Sequence, residues 1–386
     1  MDQKHFEIFT KYFQTVATIF LTTILLIAVL EGFSFLGITA YHYVSTPEQD
    51  VSNSRVNNEV YDNCSWADEY FKEFGQCRTQ DIPYIGWSRV EYSGKYIHID
   101  ENGLRSTWNS KRENSSNAPI KIYFFGGSTT WGTGARDNYT IPSLVSKYLF
   151  ENNINAEVTN YGETGFQNTQ ETIFLRLELR KDTPDIVIFY DGVNDAYSAY
   201  QNKKAGVPQH GAIPACKNKY INYVVSMYTG HSYFWQCFTY LKNKLIGTPD
   251  KSVHATDNAI ENKEELAEEV IDAYSHNIKM IHALEKEYGF KAYFFWQPCL
   301  YTKKHLSETE ENLTEQQLEI SQLYNLEVNH SHLKLNEDTS FIDVSNIFDN
   351  HNKTVFIDWC HLGENGNEIV ANKIGKTILE DLRERE

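Results

Sequence analysis

Ile122-Tyr123-Phe124-Phe125-Gly126-Gly127-Ser128-Thr129-Thr130-Trp131-Gly132 opens with four apolar residues, breaks at two glycines and presents a serine. An apolar run ending in a glycine turn is how a buried parallel strand hands over to a helix. A serine at that carboxyl end sits where open α/β sheets place their ligands. The glycines permit a tight turn and close substrate approach, and the helix N-terminus offers backbone N–H groups to developing negative charge. On this segment alone a phosphate-binding loop competes with a catalytic serine, although neither a Walker lysine nor a G-x-G-x-x-G spacing occurs here.

Outward from this segment, short apolar runs alternate with helix-length segments, the signature of βαβ units around a parallel sheet. Strands are expected at 120–125, 157–161, 186–190, 291–296 and 341–344. Helical periodicity covers 139–152, 169–180, 263–287 and 364–382. Three further strand ends or loops carry polar residues that become informative together. The second strand runs into Asn160-Tyr161-Gly162-Glu163-Thr164-Gly165, and the third into Tyr190-Asp191-Gly192-Val193-Asn194-Asp195. Asn194 is placed either to aim an amide donor at an oxyanion or to cap a helix. Before the last helix comes Phe356-Ile357-Asp358-Trp359-Cys360-His361-Leu362, where a spacing of three lets an aspartate hold the ring of a histidine that activates a serine. A satisfied histidine is the ordinary alternative in a chain with 13 of them. A metal site on His361, Cys360 and Asp358 is another, but no second His or Cys stands at ligand spacing.

Gly-x-Ser, Gly, Gly-x-Asn-Asp and Asp-x-x-His, in that order and each at a strand end or loop, resemble the four blocks of the SGNH hydrolases, also called GDSL-like. The resemblance spans about 120–382. It implies a three-layer α/β sandwich around a five-stranded parallel sheet of flavodoxin-like order. It also implies Ser128 as nucleophile, His361 as general base and then acid, and Asp358 as its orienting partner. The oxyanion hole would comprise the Ser128 N–H, the Gly165 N–H and the Asn194 side chain. Gly162 is the alternative donor, and the five-residue step from Asn160 favours Gly165. Gly-Gly-Ser stands where the family commonly has Gly-Asp-Ser. No cofactor or metal is implied.

The hydrolase domain is expected at 118–386, with a long insertion at 196–255 that holds Pro208, Pro214 and the aromatic cluster Tyr233-Phe234-Trp235. That insertion reads equally as a lid or as surface elaboration. Residues 45–117 read as a small β-rich appendage and linker. Residues 1–44 read as a cytoplasmic N-terminus and transmembrane anchor, because 16–30 is uncharged and apolar and Glu31 alone intrudes nearby. Lys4 and Lys11 precede the run and Glu48 and Asp50 follow it, which predicts a cytoplasmic N-terminus and an extracytoplasmic catalytic domain. A cleaved signal is the alternative, though no clear small-x-small site follows.

All six cysteines lie beyond the apolar run, and an even count in an exported domain predicts disulfides. Proximity suggests Cys64 with Cys77, Cys216 with Cys237, and Cys299 with Cys360, out of 15 connectivities. The net charge of −17 argues against a nucleic-acid partner. The leading expectation is a membrane-anchored serine esterase acting on an ester-bearing small molecule or glycan, with acetyl groups of extracytoplasmic glycans as candidate substrates. An O-acyltransferase using the same triad and a non-catalytic surface binding or assembly module are the alternatives. A lipase is disfavoured because no long apolar lid is evident.

Overall fold

Strands that are apolar without interruption must be covered on both faces, and the computed structural model shows how this is met. It describes residues 3–44, 54–110, 118–209, 232–235, 260, 262–314 and 318–384. The chain forms two units, Met1–Asp50 with Pro214–Asn258, and Val51–Ile213 with Ala259–Glu386.

In the first unit, helix α1 (Gln3–Val44) contains a stretch, Thr10–Leu36, long and apolar enough to cross a membrane. Its carboxylate at Glu31 accepts hydrogen bonds from Ser232 Oγ and from the Phe234 backbone N–H, the latter at 3.2 Å. Phe35 meets Tyr233 edge-on with ring centroids 4.9 Å apart. The insertion thus contributes to this unit; apart from its first residues and 232–235, it lies outside the described residues.

The second unit begins with a 3₁₀ turn at Ser54–Asn57, followed by α2 (Ala67–Gln76) and four short strands, β1 (Thr79–Ile82), β2 (Gly86–Arg89), β3 (Tyr92–Ser93) and β4 (His98–Ile99). They pair as two antiparallel ribbons. Then come β5 (Ile120–Gly126), α3 (Ser128–Trp131), α4 (Ile141–Glu151), β6 (Ala156–Asn160), α5 (Asn168–Glu178), β7 (Ile186–Asp191) and α6 (Val193–Asn202). The remainder is α7 (Lys263–Tyr288), β8 (Lys291–Trp296), α8 (Glu308–Thr314), α9 (Leu318–Leu335), β9 (Phe341–Asp343) and α10 (Glu364–Glu384). The five long-range strands form one parallel sheet in the order β6-β5-β7-β8-β9, the flavodoxin-like arrangement expected.

Because side chains alternate along a strand, β5 splits its apolar residues between two cores. Ile122 and Phe124 join Val145 and Leu149 of α4 and Val370, Ile374 and Ile378 of α10. Tyr123 and Phe125 join Leu175 of α5, Ile271 and Ile278 of α7 and Tyr324 of α9 on the other face. Burial of this kind contributes roughly 25 cal/mol per Å² of apolar surface, so both layers hold the sheet and the loops at its carboxyl edge.

Ahead of the sheet, the ribbons and α2 enclose a third core of Tyr61, Tyr70, Phe71, Ile97 and Ile99, which also takes in Trp131 and Ile357. Trp131 ends the helix that starts at Ser128, and Ile357 immediately precedes Asp358. Arg105, 2% exposed, completes this contact: Nε meets Asp137 Oδ1 at 2.9 Å, Nη1 donates to the carbonyls of Trp131 and Gly132, and Nη2 to that of Ala135.

The expected disulfides are not formed among the described residues: Cys64, Cys77, Cys299 and Cys360 are free thiols. Cys77 Sγ instead approaches the Glu73 carbonyl at 3.4 Å, and Cys299 and Cys360 pack as small apolar residues in one core. Cys216 and Cys237 lie outside the described residues.

Candidate active site

Gly126 ends β5 with φ +153, where a Cβ would come within 2.2 Å of Thr130 Oγ1 and 2.7 Å of the Tyr190 carbonyl. Only glycine fits there, so the turn into α3 is tight and Ser128 becomes the first residue of the helix. Ser128 is 8% exposed, and its Oγ lies 2.7 Å from Nε2 of His361. On the other side of that ring, Nδ1 is 2.7 Å from Asp358 Oδ2 and 2.9 Å from Oδ1.

Backbone contacts hold the Asp358–His361 loop. The Ile357 N–H donates to the His361 carbonyl at 2.9 Å, and the Leu300 N–H, beyond β8, donates to the Trp359 carbonyl at 2.9 Å. With Cys299 and Cys360 unbonded to one another, this main-chain hydrogen bond ties the loop to the segment after β8. Asp358 Oδ1 also accepts from the N–H groups of Cys360 (3.0 Å) and His361 (2.8 Å), and its Oδ2 lies 2.7 Å from Nε of Arg55. Burial opposes the charge on Asp358, but His361, these hydrogen bonds and the Arg55 guanidinium outweigh it and hold the carboxyl far below its ordinary pKa. Burial first, and then the charge of Asp358, push the Cys360 thiol up.

Asn194 stands at the second position of α6, after Gly192 at φ +124. A Cβ on Gly127 would fall 1.9 Å from Asn194 Nδ2, so the amide lies directly against the turn that carries Ser128. Asn194 Oδ1 accepts from Gln209 Nε2 at 3.0 Å. Gly165, at φ +80, lines the same cleft, whereas a Cβ on Gly162 would strike the Trp131 N–H at 2.5 Å, which packs Gly162 under α3. The turn between them is pinned from β2: Trp87 Nε1 donates to the Thr164 carbonyl at 2.9 Å, and Arg89 bonds Glu163 and Thr164 Oγ1. Burial raises the Glu163 pKa against the pull of Arg89.

Ser128, Gly165, Asn194 and His361 line one cleft of about 290 Å³, with Arg55, Arg89, Tyr197, Gln209 and Trp359 among its walls. Ser128, Gly165, Asn194 and the Asp358–His361 pair thus converge from four separate loops, an arrangement of hydroxyl, imidazole, carboxylate and amide groups that acyl transfer can use. Asp358, Cys360 and His361 also present ligand atoms within 4.8 Å of one another. The carboxylate is, however, committed to N–H donors and His361 Nε2 to Ser128. Arg55, Trp87, Arg89 and Gln209 carry no local sequence signal for these contacts, although Trp87 lies in an aromatic turn-rich stretch.

The sequence profile described as GDSL-like Lipase/Acylhydrolase matches residues 122–374, well over half of the chain. The chain belongs to this family. It is accordingly a serine ester hydrolase by class. Among solved structures, an acetyl xylan esterase, AlAXEase, is 17% identical over 67% of this chain and 100% of its own, with a TM-score of 0.37. A carbohydrate acetylesterase family member from Sinorhizobium meliloti is 14% identical over 67% of this chain and 96% of its own, with a TM-score of 0.33. Axe2, an acetylxylan esterase from Geobacillus stearothermophilus, is 13% identical over 67% and 93%, with a TM-score of 0.34. No curated protein matches the chain.

Proposed function

We propose that this chain is a membrane-anchored esterase that removes small acyl groups, acetyl above all, from extracytoplasmic glycans through a Ser128–His361–Asp358 triad. The observation that carries this reading is the unbroken series of contacts from Ser128 Oγ through His361 to Asp358, each at 2.7 Å. His361 Nε2 takes the proton of Ser128 as Oγ attacks the ester carbonyl. The oxyanion accepts hydrogen bonds from the N–H groups of Ser128 and Gly165 and from Asn194 Nδ2. As the tetrahedral intermediate collapses, its C–O bond to the leaving group breaks and the protonated imidazole gives its proton to that oxygen; the alcohol departs and the acyl group stays on Ser128 Oγ as an ester. Water, deprotonated by the same ring, releases the acid and restores Ser128. No metal or cofactor enters these steps.

Two features support the finer parts of the reading. The cleft, at about 290 Å³, stands at the lower end of small-molecule sites and suits a short acyl group. The uncharged apolar run at 16–30 of that helix, with Lys4 and Lys11 before it and Glu48 and Asp50 after it, favours an anchor that leaves the hydrolase outside the cytoplasm. Purified full-length protein in detergent is expected to hydrolyse p-nitrophenyl acetate, and Ser128→Ala to abolish this without loss of fold; equal rates would sink the assignment. Chain-length series from acetate to decanoate test the acyl preference. Adding sugar acceptors reads hydrolysis against transfer.

A further inference from the structure

Arg55 reaches the cleft from outside the 122–374 stretch matched to the family. Its Nε shares Asp358 Oδ2 with the imidazole of His361, both at 2.7 Å. The side chains of Arg55 and Asp358 are 28% and 17% exposed, so the ion pair is partly withdrawn from water and its charge incompletely screened. Around Asp358 stand Arg55 from the N-terminal 3₁₀ turn, Tyr61 from the next turn, Tyr301 beyond β8, and Cys360 and His361 of its own loop. Among these, Arg55 carries a permanent positive charge.

We propose that Arg55 is a positioning residue of the hydrolytic centre, acting through Asp358: its charge-assisted bond fixes the carboxylate rotamer that aims His361, and its charge weakens the hold of Asp358 on the imidazolium. The proposal rests on the triad reading given above. A carboxylate shared with a guanidinium orients the ring firmly yet stabilises its protonated form less, which favours return of the proton to the leaving alkoxide. Loss of Arg55 removes both effects, and they are separable: orientation appears in kcat, charge in the pH at which His361 becomes protonated.

The test compares the full-length wild type, Arg55→Ala, Arg55→Lys and Ser128→Ala in detergent on p-nitrophenyl acetate across pH. Arg55→Ala is expected to lower kcat about 10-fold with KM nearly unchanged, and to move the acid limb of kcat/KM upward by roughly half a pH unit or more. Arg55→Lys keeps the charge without the planar fork, so its limb stays near that of the wild type while kcat is intermediate. A fall in rate that tracks loss of folded protein, with an unmoved limb, assigns Arg55 a structural part only and overturns the proposal. Wild-type kcat and limb in Arg55→Ala overturn it as well. Should Arg55→Ala not fold, Arg55→Gln carries the same comparison. Ser128→Ala separates the two levels: if it is inactive while Arg55→Ala behaves as wild type, the Arg55 proposal alone fails. If Ser128→Ala retains full rate, the triad reading fails and takes the proposal with it.

Discussion

The Oγ atom of Ser128 and the Nε2 atom of His361, 233 residues apart in the chain, lie 2.7 Å from one another. The remaining geometry of the cleft serves this contact. The glycine turn after β5 presents the serine, and the Asp358 carboxylate, held by two backbone N–H groups and Arg55, aims the histidine.

Asp358→Asn keeps the shape of the side chain but replaces one acceptor oxygen with a donor, which disfavours the His361 tautomer needed to take the serine proton. The expected loss in kcat is on the order of 10³–10⁴, by analogy with the same change in serine proteases. Steady-state kinetics beside circular dichroism check it; a loss under tenfold in a folded variant would contradict the role given to Asp358.

On the proposed mechanism, Asn194→Ala removes one oxyanion donor and leaves Ser128, His361 and Asp358 in place. Such a donor is worth about 3 kcal/mol of barrier, so kcat should drop by about 10² while KM changes little. A variant that raises KM and spares kcat would assign Asn194 to ground-state binding.

Glu327 in α9 is fully buried, neither of its carboxyl oxygens has a hydrogen-bond partner among the described residues, and burial, then the charge of Asp195, raise its pKa. A group whose folded pKa lies above its unfolded value of about 4.3 keeps its proton in the fold while the unfolded chain releases it, so stability falls as pH rises past that value. Glu327→Gln removes this penalty. Its gain in Tm should be larger at pH 8 than at pH 4.5, and equal gains at both would refute the sign. Asp358 runs the opposite way, its contribution being present above the unfolded carboxyl pKa and lost on acidification.

Arg105 is buried against Trp131, with its guanidinium carbon 4.3 Å from the ring centroid, and pairs with Asp137. Arg105→Ala removes the buried positive partner of Asp137, which keeps the His98 N–H, and takes a donor from the carbonyls of Trp131, Gly132 and Ala135, so a cost of roughly 3–5 kcal/mol is expected. Denaturant unfolding measures it; a change below 1 kcal/mol would mean that the ribbons ahead of the sheet are not bound to the loop after Ser128.

Free thiols at Cys77, Cys299 and Cys360 are buried, and burial pushes Cys299 up to about 12 and Cys77 up to about 11. Thiolates attack alkylating reagents and thiols do not, so none of the three should react with iodoacetamide in the native protein at pH 8. Unfolding without reductant should expose them to it. Peptide mapping reads the result, and a linked Cys299–Cys360 peptide would contradict it.

The sheet was legible in the sequence because strands buried on both faces leave apolar runs, and 120–125 and 186–190 fall within β5 and β7. Ser128, Gly165, Asn194, Asp358 and His361 were legible because each follows a strand or precedes a helix, where a ligand-facing residue has to stand. The helix α9 was not: Tyr324 faces one core and Leu323 another, so its apolar residues form no single stripe. Arg55, Trp87 and Arg89 act across long sequence separations through partners that leave no periodic mark. The pairings of Cys64 with Cys77 and of Cys299 with Cys360 failed because an even count is equally compatible with small apolar side chains in a core.

Covalent capture of the nucleophile is the most direct test of the central claim. The full-length protein, treated with a fluorophosphonate that phosphonylates activated serines, is digested and mapped by mass spectrometry. The predicted result is a single adduct on Ser128, absent from Ser128→Ala and greatly slowed in His361→Ala. An adduct on another residue, or equal labelling of Ser128→Ala, would contradict the account.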